Sequence, residues 1–345
     1  MTQLPTGDHN RFAERIAPPS EPRAQPVAPT SRGRVDPAAR SFGRRLPFPD
    51  SVWSEQPMAV AVTGAARMLL GQGSWRGRVQ SAPHGSVNIR CDSAGPLAWV
   101  SLHAPGTPVS PAGVLCRTWP AVKPVVGQPA FGAPGWIAIP GWMTVAWHRS
   151  EPIESALPPR APMPDIPACL REARPASPGA LLGAVSAVID PPGAVAGQID
   201  RRALPAIARL HAATLRLHAP GALSSACDLL GLGPGLTPAG DDLLVGWAMG
   251  LAVGGPRASR FRGALAEPLL EAAKTRTGWL SRAFLATALS GHAAPTPRAF
   301  VSSPDGAAAI EVARLGSTSG ADLLGGYLLA RHAIAVSASA DPCPQ

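Results

Sequence analysis

Short apolar segments separated by glycine and proline characterise the chain from about residue 57 to residue 150. Five of them are rich in Val, Ile and Trp or alternate apolar with polar positions, as the strands of a half-buried sheet do. They are MAVAVTG (58–64), GSVNIRC (85–91), LAWVSLHA (97–104), GWIAIPG (135–141) and MTVAWHR (143–149). One early stretch, VTGAARMLL, is also compatible with a short helix. The pattern predicts a small, β-rich, barrel-like domain over residues 57–150.

The apolar spacing changes to the helical period in the second half of the chain. An apolar face with steps of three and four positions is formed by Leu204, Ile207, Leu210, Ala213 and Leu217. The stretch FRGALAEPLLEAAKTRTGWLSRAFLATALSG predicts two further helices, and a final helix is expected from about Ser319 to Ala335. The fold class is therefore α+β, with a mainly α-helical C-terminal domain over residues 178–336.

Proline and polar residues mark the remaining parts of the chain. Residues 1–56 are rich in Pro, Arg and Ser and lack apolar periodicity, so we expect a disordered leader there. Residues 151–177 contain seven prolines and are predicted to form a linker between the two domains. Residues 337–345 are expected to be a disordered tail.

Charge and cysteine content narrow the classes of function. The formal net charge of +9 suggests nucleic acid as a partner, but the arginines are scattered, and only Lys123 and Lys274 are lysines. A nucleic-acid footprint is clustered, so we consider this role unlikely. The five cysteines form no CxxC motif, which favours a reducing, cytoplasmic location over a disulfide framework. We expect neither a signal peptide nor a membrane-spanning helix.

The loop GLGPGLTPAGDD (231–242) precedes a strongly apolar run and has a shorter counterpart later in the chain. TPAGDDLLVG (237–246) aligns with TSGADLLGG (318–326) after removal of one residue. Thr237 then meets Thr318, Gly240 meets Gly320 and Asp242 meets Asp322, at a constant offset of 80 residues from the glycine onward. We interpret this as an internal loop–helix repeat. We also expect Gly246 to pack against Gly325 and Gly326, bringing both loops to one place.

Three interpretations of the paired loops remain open from the residues alone. Backbone amides of a glycine-rich turn before a helix can bind an anion, although the Lys-Ser/Thr of a Walker A motif is missing. Asp242 and Asp322 can hold Mg²⁺ together with a phosphate, or accept hydrogen bonds from a substrate amide. Alternatively, the glycines shape a tight turn and the aspartates merely begin a helix, where the helix dipole favours negative charge.

The quoted motifs resemble a bacterial family of formerly unknown function, typified by AllH, a subunit of oxamate carbamoyltransferase. GLGPGLTPAGDDLLVG is the most specific match, STSGADLLGG and TGWLSRAFLATALSG support it, and the N-terminal GSVNIRC…LAWVSLHAPGTPVSPAGVL is similar more loosely. The similarity extends over about residues 60–335 and omits the leader. It implies carbamoyl transfer between carbamoyl phosphate and oxamate in ureide breakdown, together with other subunit types.

The resemblance assigns hypothetical roles to particular residues. Asp242 and Asp322 are the candidate catalytic carboxylates, orienting the NH₂ groups of the substrate. Candidate binding residues for the phosphate or for the carboxylate of an oxamate-like substrate are Gly233, Gly235, Thr237, Gly240, Arg276, Thr277, Thr318 and Gly320. We expect small anionic substrates and hetero-oligomeric partners. An alternative function is a non-catalytic scaffold or small-anion-binding subunit of the same complex.

Overall fold

The computed structural model of the protein describes residues 59–92, 98–190 and 198–340. All of them belong to one compact unit, Ser51–Gln345. The predicted leader (1–56) lies outside the described residues, as do residues 341–345 of the predicted tail. Residues 337–340 continue the last helix instead of belonging to a disordered tail.

The N-terminal part of the described chain is a nine-stranded, curled half-barrel sheet. Its strands are β1 (Ala59–Thr63), β2 (Trp75–Ser81), β3 (Ser86–Cys91), β4 (Trp99–His103), β5 (Gly113–Cys116), β6 (Pro129–Ala133), β7 (Trp136–Ile139), β8 (Met143–Ala146) and β9 (Glu151–Ile153). Their order is β8-β7-β6-β2-β3-β4-β5-β1-β9. The pairs β4–β5 and β1–β9 are parallel and the others antiparallel. The predicted β-rich, barrel-like fold is confirmed.

Side-chain alternation explains how the sheet buries one face. In β2, Trp75 and Val79 are buried, whereas Arg76 and Arg78 are exposed, as the two-residue period of a strand requires. Strand β4 is buried along its whole length because the helices cover its second face. The Trp75 ring lies so close to β6 that a Cβ atom on Gly132 would be 2.1 Å from it. A larger residue at position 132 would therefore displace this ring.

Eleven α-helices are present among the described residues. They are α1 (Gly64–Leu70), α2 (Ile166–Ala173), α3 (Leu182–Ile189), α4 (Gln198–Leu215), α5 (Ala219–Leu229), α6 (Ala239–Ala252), α7 (Pro256–Arg276), α8 (Trp279–Leu289), α9 (Pro295–Ser302), α10 (Gly306–Ala313) and α11 (Ser319–Ala340). The short helix expected in VTGAARMLL is α1, and the Thr63 hydroxyl caps it by accepting from the Ala66 amide. None of the helices in the described ranges combines the length and apolarity needed to cross a bilayer.

The proline-rich segment 151–177 carries regular structure in addition to irregular chain. Within this segment, strand β9 pairs with β1. Helix α2, also within it, buries Ile166, Cys169 and Leu170 in the helical core. Asp165 caps this helix by accepting from the Ala168 amide at 3.1 Å. Pro152 lies in the edge strand β9 and Pro167 in the first turn of α2, where a missing N–H costs little.

The internal repeat is visible as two helix–loop–helix units, α5–α6 and α10–α11. In each, the glycine that begins the second helix donates its amide to a leucine carbonyl of the preceding loop at 2.9 Å. Gly240 donates to Leu232, and Gly320 donates to Leu315. The segment from the leucine to the glycine is three residues longer in the first unit than in the second, since these leucines are 83 apart and the glycines 80.

The two units pack through their glycines in a reciprocal way. A Cβ atom on Gly246 would lie 1.7 Å from the Leu323 carbonyl oxygen, and one on Gly326 would lie 1.8 Å from that of Leu243. The offset of 80 residues converts Gly246 into Gly326 and Leu243 into Leu323, so each contact is the counterpart of the other. Helices α6 and α11 therefore cross about a local pseudo-twofold axis. The predicted packing of Gly246 is confirmed for Gly326. Gly325 instead faces α3, with Leu182 and Val185 as its neighbours.

Candidate functional site

A cavity of about 280 Å³ lies between the sheet and the two repeat units. Its sheet side is built by β3, β4 and the loop that follows β4, and its helical side by α6, α8 and the start of α11. The polar residues that line it are Ser86, Asn88, His103, Ser110, Thr237, Asp242, His292 and Ser319. Most of the remaining wall is apolar, and no Arg or Lys is among its described lining residues.

Asp242 is the single acidic side chain in the described wall of this cavity. Its residue is only 7% exposed, and its Oδ2 atom has no hydrogen-bond partner in the described part of the chain. Burial raises the pKa of Asp242 to about 8; the hydroxyl of Ser319 opposes this shift, and the nearby Asp322 charge adds to it. The carboxyl is therefore largely protonated at neutral pH, so it can donate as well as accept.

The neighbouring Asp241 has a different environment and holds the glycine-rich loop in place through hydrogen bonds. It is 1% exposed, and its Oδ1 accepts from the Gly231 amide at 2.8 Å, while its Oδ2 accepts from the Thr277 hydroxyl. These bonds tie the start of the glycine-rich loop and the start of α8 to the first turn of α6. Asp241 and Thr277 thus act together as a structural pair, outside the wall of the cavity.

Asp322 is the counterpart of Asp242 in the second unit, yet it does not line the cavity. It is fully buried, and its Oδ1 accepts from the Leu181 backbone amide, directly before α3, at 2.6 Å. The two carboxyl groups are close enough for their charges to interact. The chain itself thus supplies an amide donor to one member of the predicted pair.

The two loops meet, as the repeat predicts, at Thr237 and Ser319. Their hydroxyl oxygens are 3.2 Å apart at the cavity wall, beside Asp242. Gly240 and Gly320 allow close packing beneath this point, because a Cβ atom on either would lie about 2 Å from a backbone carbonyl oxygen. Gly320 also lines the cavity, whereas Gly240 does not.

The other predicted binding residues lie away from the cavity. Gly233 and Gly235 adopt positive φ values of 114° and 100° in the loop outside its wall. The exposed Arg276 donates to the Cys227 carbonyl oxygen at 3.3 Å, and Thr318 is outside the wall as well. The structure therefore brings together Thr237, Asp242 and Gly320 from the predicted set.

Two histidines that sequence reasoning missed complete the polar part of the cavity. His103 Nε2 accepts from the Ser110 amide at 3.1 Å, and burial lowers its pKa to about 4. His292 Nδ1 is 3.1 Å from the Ser155 hydroxyl, and burial lowers the pKa of this imidazole too. Both rings are therefore neutral at pH 7. His103 lies in the strand segment LAWVSLHA and His292 directly after the segment TGWLSRAFLATALSG, but neither segment marks its histidine as a site residue. Only the packing of the sheet against the helices reveals that both line the cavity.

A metal site is not evident in the described residues. They contain no group of three or more His, Cys, Asp or Glu side chains suited to hold an ion. A cation in the cavity would find Asp242 as its one carboxylate among the described lining residues. Hydroxyl and imidazole groups would have to supply its other ligands.

Comparison with known proteins supports the family resemblance. Residues 229–331 match the model of the family described as oxamate carbamoyltransferase subunit AllH. This segment contains Thr237, Asp242 and Ser319, and it extends from the first loop to the middle of α11. No curated protein and no solved structure matches the chain. The resemblance is thus confirmed over residues 229–331 and not over the sheet.

Proposed function

We propose that this chain is a subunit of an oxamate-type carbamoyltransferase and that the cavity beside Asp242 binds the carbamoyl or amide end of a substrate. The match of residues 229–331 to the carbamoyltransferase subunit family supports the reaction class. The observation that carries the site is the buried carboxyl of Asp242, which lines the cavity and whose Oδ2 has no hydrogen-bond partner in the described chain. A buried polar atom of this kind is costly unless a ligand or water satisfies it.

The charge of the cavity fits an uncharged group better than an anion. Its described lining residues include no Arg or Lys, and burial keeps His103 and His292 neutral. Carbamoyl phosphate and oxamate both combine a neutral CO–NH₂ group with a charged end. We place the neutral group beside Asp242 and the charged end at the mouth of the cavity.

The charged end of the substrate then requires cations or amide donors from outside the cavity. This requirement gives partner subunits a role in the proposed site. Preorganised donors stabilise a phosphate leaving group most effectively when water is excluded. Partner subunits of the carbamoyltransferase would supply such donors. Within this chain, the loop amides of Gly233 and Gly235 and the guanidinium of Arg276 remain candidates for an anion at the surface of the loop.

The proposed setting is the breakdown of ureides such as allantoin, in the cytoplasm, where the carbamoyl group passes from oxalurate to phosphate, giving oxamate and carbamoyl phosphate, or in the reverse direction. A second candidate function is a non-catalytic scaffold of the same complex. It is favoured by the Asp322–Leu181 contact and by the Asp241–Thr277 pair, which show that acidic residues of this motif also hold the fold.

The decisive experiment measures carbamoyl transfer by the complex purified through a tag on this chain. We expect Asp242→Leu to lower transfer from carbamoyl phosphate to oxamate at least about a hundredfold, because it removes the polar contact to the substrate. Asp228→Leu, which changes an exposed aspartate on α5, is the matched control. Transfer by Asp242→Leu within a few-fold of wild type, in an intact complex, would favour the scaffold.

A further inference from the structure

The two copies of the repeat suggest what the cavity recognises. We propose that Asp242 binds a primary amide of a small ligand, taking an N–H from it as Asp322 takes the backbone N–H of Leu181. The inference deepens the proposed function, on which it rests, by naming the part of the substrate that this residue contacts. It makes Asp242 the residue that selects CO–NH₂ against a carboxylate of the same shape.

Asp242 and Asp322 are equivalent in the structure as well as in the sequence alignment of the two repeats. Each donates its backbone amide to a carbonyl four residues earlier, Asp242 to Pro238 and Asp322 to Thr318. Each begins a helix that crosses its partner at the reciprocal glycine contacts of Gly246 and Gly326. The pseudo-twofold axis therefore relates the two carboxyl groups. One is in contact with an amide of the chain, and the other faces the cavity.

The bond to Leu181 shows which donor this site accepts. The amide nitrogen is 2.6 Å from Asp322 Oδ1, and both residues are fully buried. In the first unit, Asp242 lines the cavity, and its Oδ2 has no such donor among the described residues. A ligand amide that entered the cavity would restore in the first unit the contact that the fold provides in the second.

The surroundings of Asp242 disfavour a negatively charged ligand. The titratable groups near it are the acidic Asp241 and Asp322 on α6 and α11, with His103 and His292 on the opposite walls of the cavity. Burial raises the pKa of Asp242 to about 8 and lowers the pKa of both imidazoles. At neutral pH the described wall thus carries no full positive charge to balance an anion.

A protonated carboxyl is complementary to a primary amide at two points. Its carbonyl oxygen can accept an amide N–H, and its O–H can donate to the amide carbonyl oxygen. A carboxylate ligand offers no N–H and adds a charge to an apolar cavity. The volume of about 280 Å³ lies below the ~300–1,000 Å³ typical of pockets for drug-sized ligands, so a small molecule fits.

Two isosteric pairs of probes test this selectivity. Calorimetry on the full chain compares oxamate with oxalate and acetamide with acetate, each over a pH series from about 6 to about 10. We expect each amide to bind at least about tenfold more tightly than its carboxylate partner. Binding of the amides should weaken about tenfold per pH unit above the pKa of Asp242, since it requires the proton.

Two variants separate recognition from a structural effect. Asp242→Asn keeps a donor and an acceptor without a titrating proton, so it should still bind amides, but without the decline at high pH. Asp242→Leu should lose amide binding at every pH. Infrared spectra provide a second readout: amide addition should shift the C=O band of the protonated carboxyl that is present in wild type and missing in Asp242→Asn.

The outcomes distinguish this inference from the proposed function. Equal binding of amide and carboxylate probes, undetectable binding of both amides, or the same pH profile in wild type and Asp242→Asn overturns the inference. Loss of transfer activity in the Asp242→Leu complex would still support the proposed function. Conversely, amide-selective, pH-dependent binding combined with unchanged transfer activity supports the inference and overturns the proposed function.

Discussion

The two repeat units share a backbone plan but use their helix-start aspartates differently. In the second unit, the chain donates the Leu181 amide to Asp322. In the first, Asp242 faces a cavity between the sheet and the helices, and its Oδ2 has no donor in the described part of the chain. A duplicated motif therefore carries, in one molecule, a carboxyl that accepts a backbone amide of the chain and a carboxyl that lines a cavity.

This difference shows how a local motif acquires a function through its neighbours. Both loops begin their helices with a carboxyl placed where the helix dipole favours it. The segment before α3 closes the site in the second unit, whereas β4, α8 and their adjoining loops leave space in the first. The surrounding elements, and not the motif itself, decide which carboxyl is available to a ligand.

Breaking the scaffold common to both units should have the largest effect. Gly246→Leu places a side chain where a Cβ atom alone would lie 1.7 Å from the Leu323 carbonyl oxygen. We expect the free energy of unfolding to fall by at least about 3 kcal/mol, or the protein not to fold, and Gly326→Leu to behave alike. Urea denaturation monitored by circular dichroism measures this change.

The control for this experiment is Gly263→Leu on α7. A Cβ atom there would meet nothing within 4 Å, so this variant should be as stable as wild type or slightly more stable. Wild-type stability of Gly246→Leu would refute the close crossing of α6 and α11, and with it the pseudo-twofold axis.

The same substitution in the two units should have opposite consequences. Asp322→Leu removes the acceptor of the buried Leu181 amide and should cost about 1–3 kcal/mol of the free energy of unfolding. Asp242→Leu removes a buried carboxyl oxygen that has no described partner, so stability at about pH 8 should be unchanged or higher. Parallel urea titrations test the contrast, and similar losses in both variants would contradict it.

The effect that depends most directly on pH concerns the proton on Asp242. Because burial raises its pKa to about 8, the folded protein keeps a proton that the unfolded chain releases above the ordinary aspartate pKa of about 4. Its contribution to stability is complete below about pH 4 and is lost as pH rises toward 8. The slope is at most about 1.4 kcal/mol per pH unit.

Asp242→Asn should remove this slope, so the stability of the variant relative to wild type should increase from about pH 5 to about pH 8. Subtracting the free energy of unfolding of wild type from that of the variant removes the contribution of groups that titrate in both proteins, including the buried histidines. A difference that does not change with pH would mean that Asp242 is charged in the folded protein.

Features with a local signal were predictable from the sequence. The periods of two and of three to four residues identified strands β1, β3, β4, β7 and β8 and helices α1, α4, α7 and α8, and the repeat predicted the meeting of Thr237 with the second loop. Arg276 and Thr318 were grouped with the site by type and position, but their side chains lie outside the cavity. His103 and His292 were missed because no local pattern marks a polar residue that faces a distant helix or strand.

By itself, the sequence determined the elements, the duplicated loop and helix, and the family resemblance that residues 229–331 confirm. These depend on residues close together in the chain, where periodicity, helix starts and glycine positions are readable. Only the tertiary structure decided that Asp322 accepts from Leu181, 141 residues away, while Asp242 faces the cavity. The physical reason is that burial and hydrogen-bond satisfaction depend on which distant elements pack against a carboxyl, and two equivalent motifs need not share them.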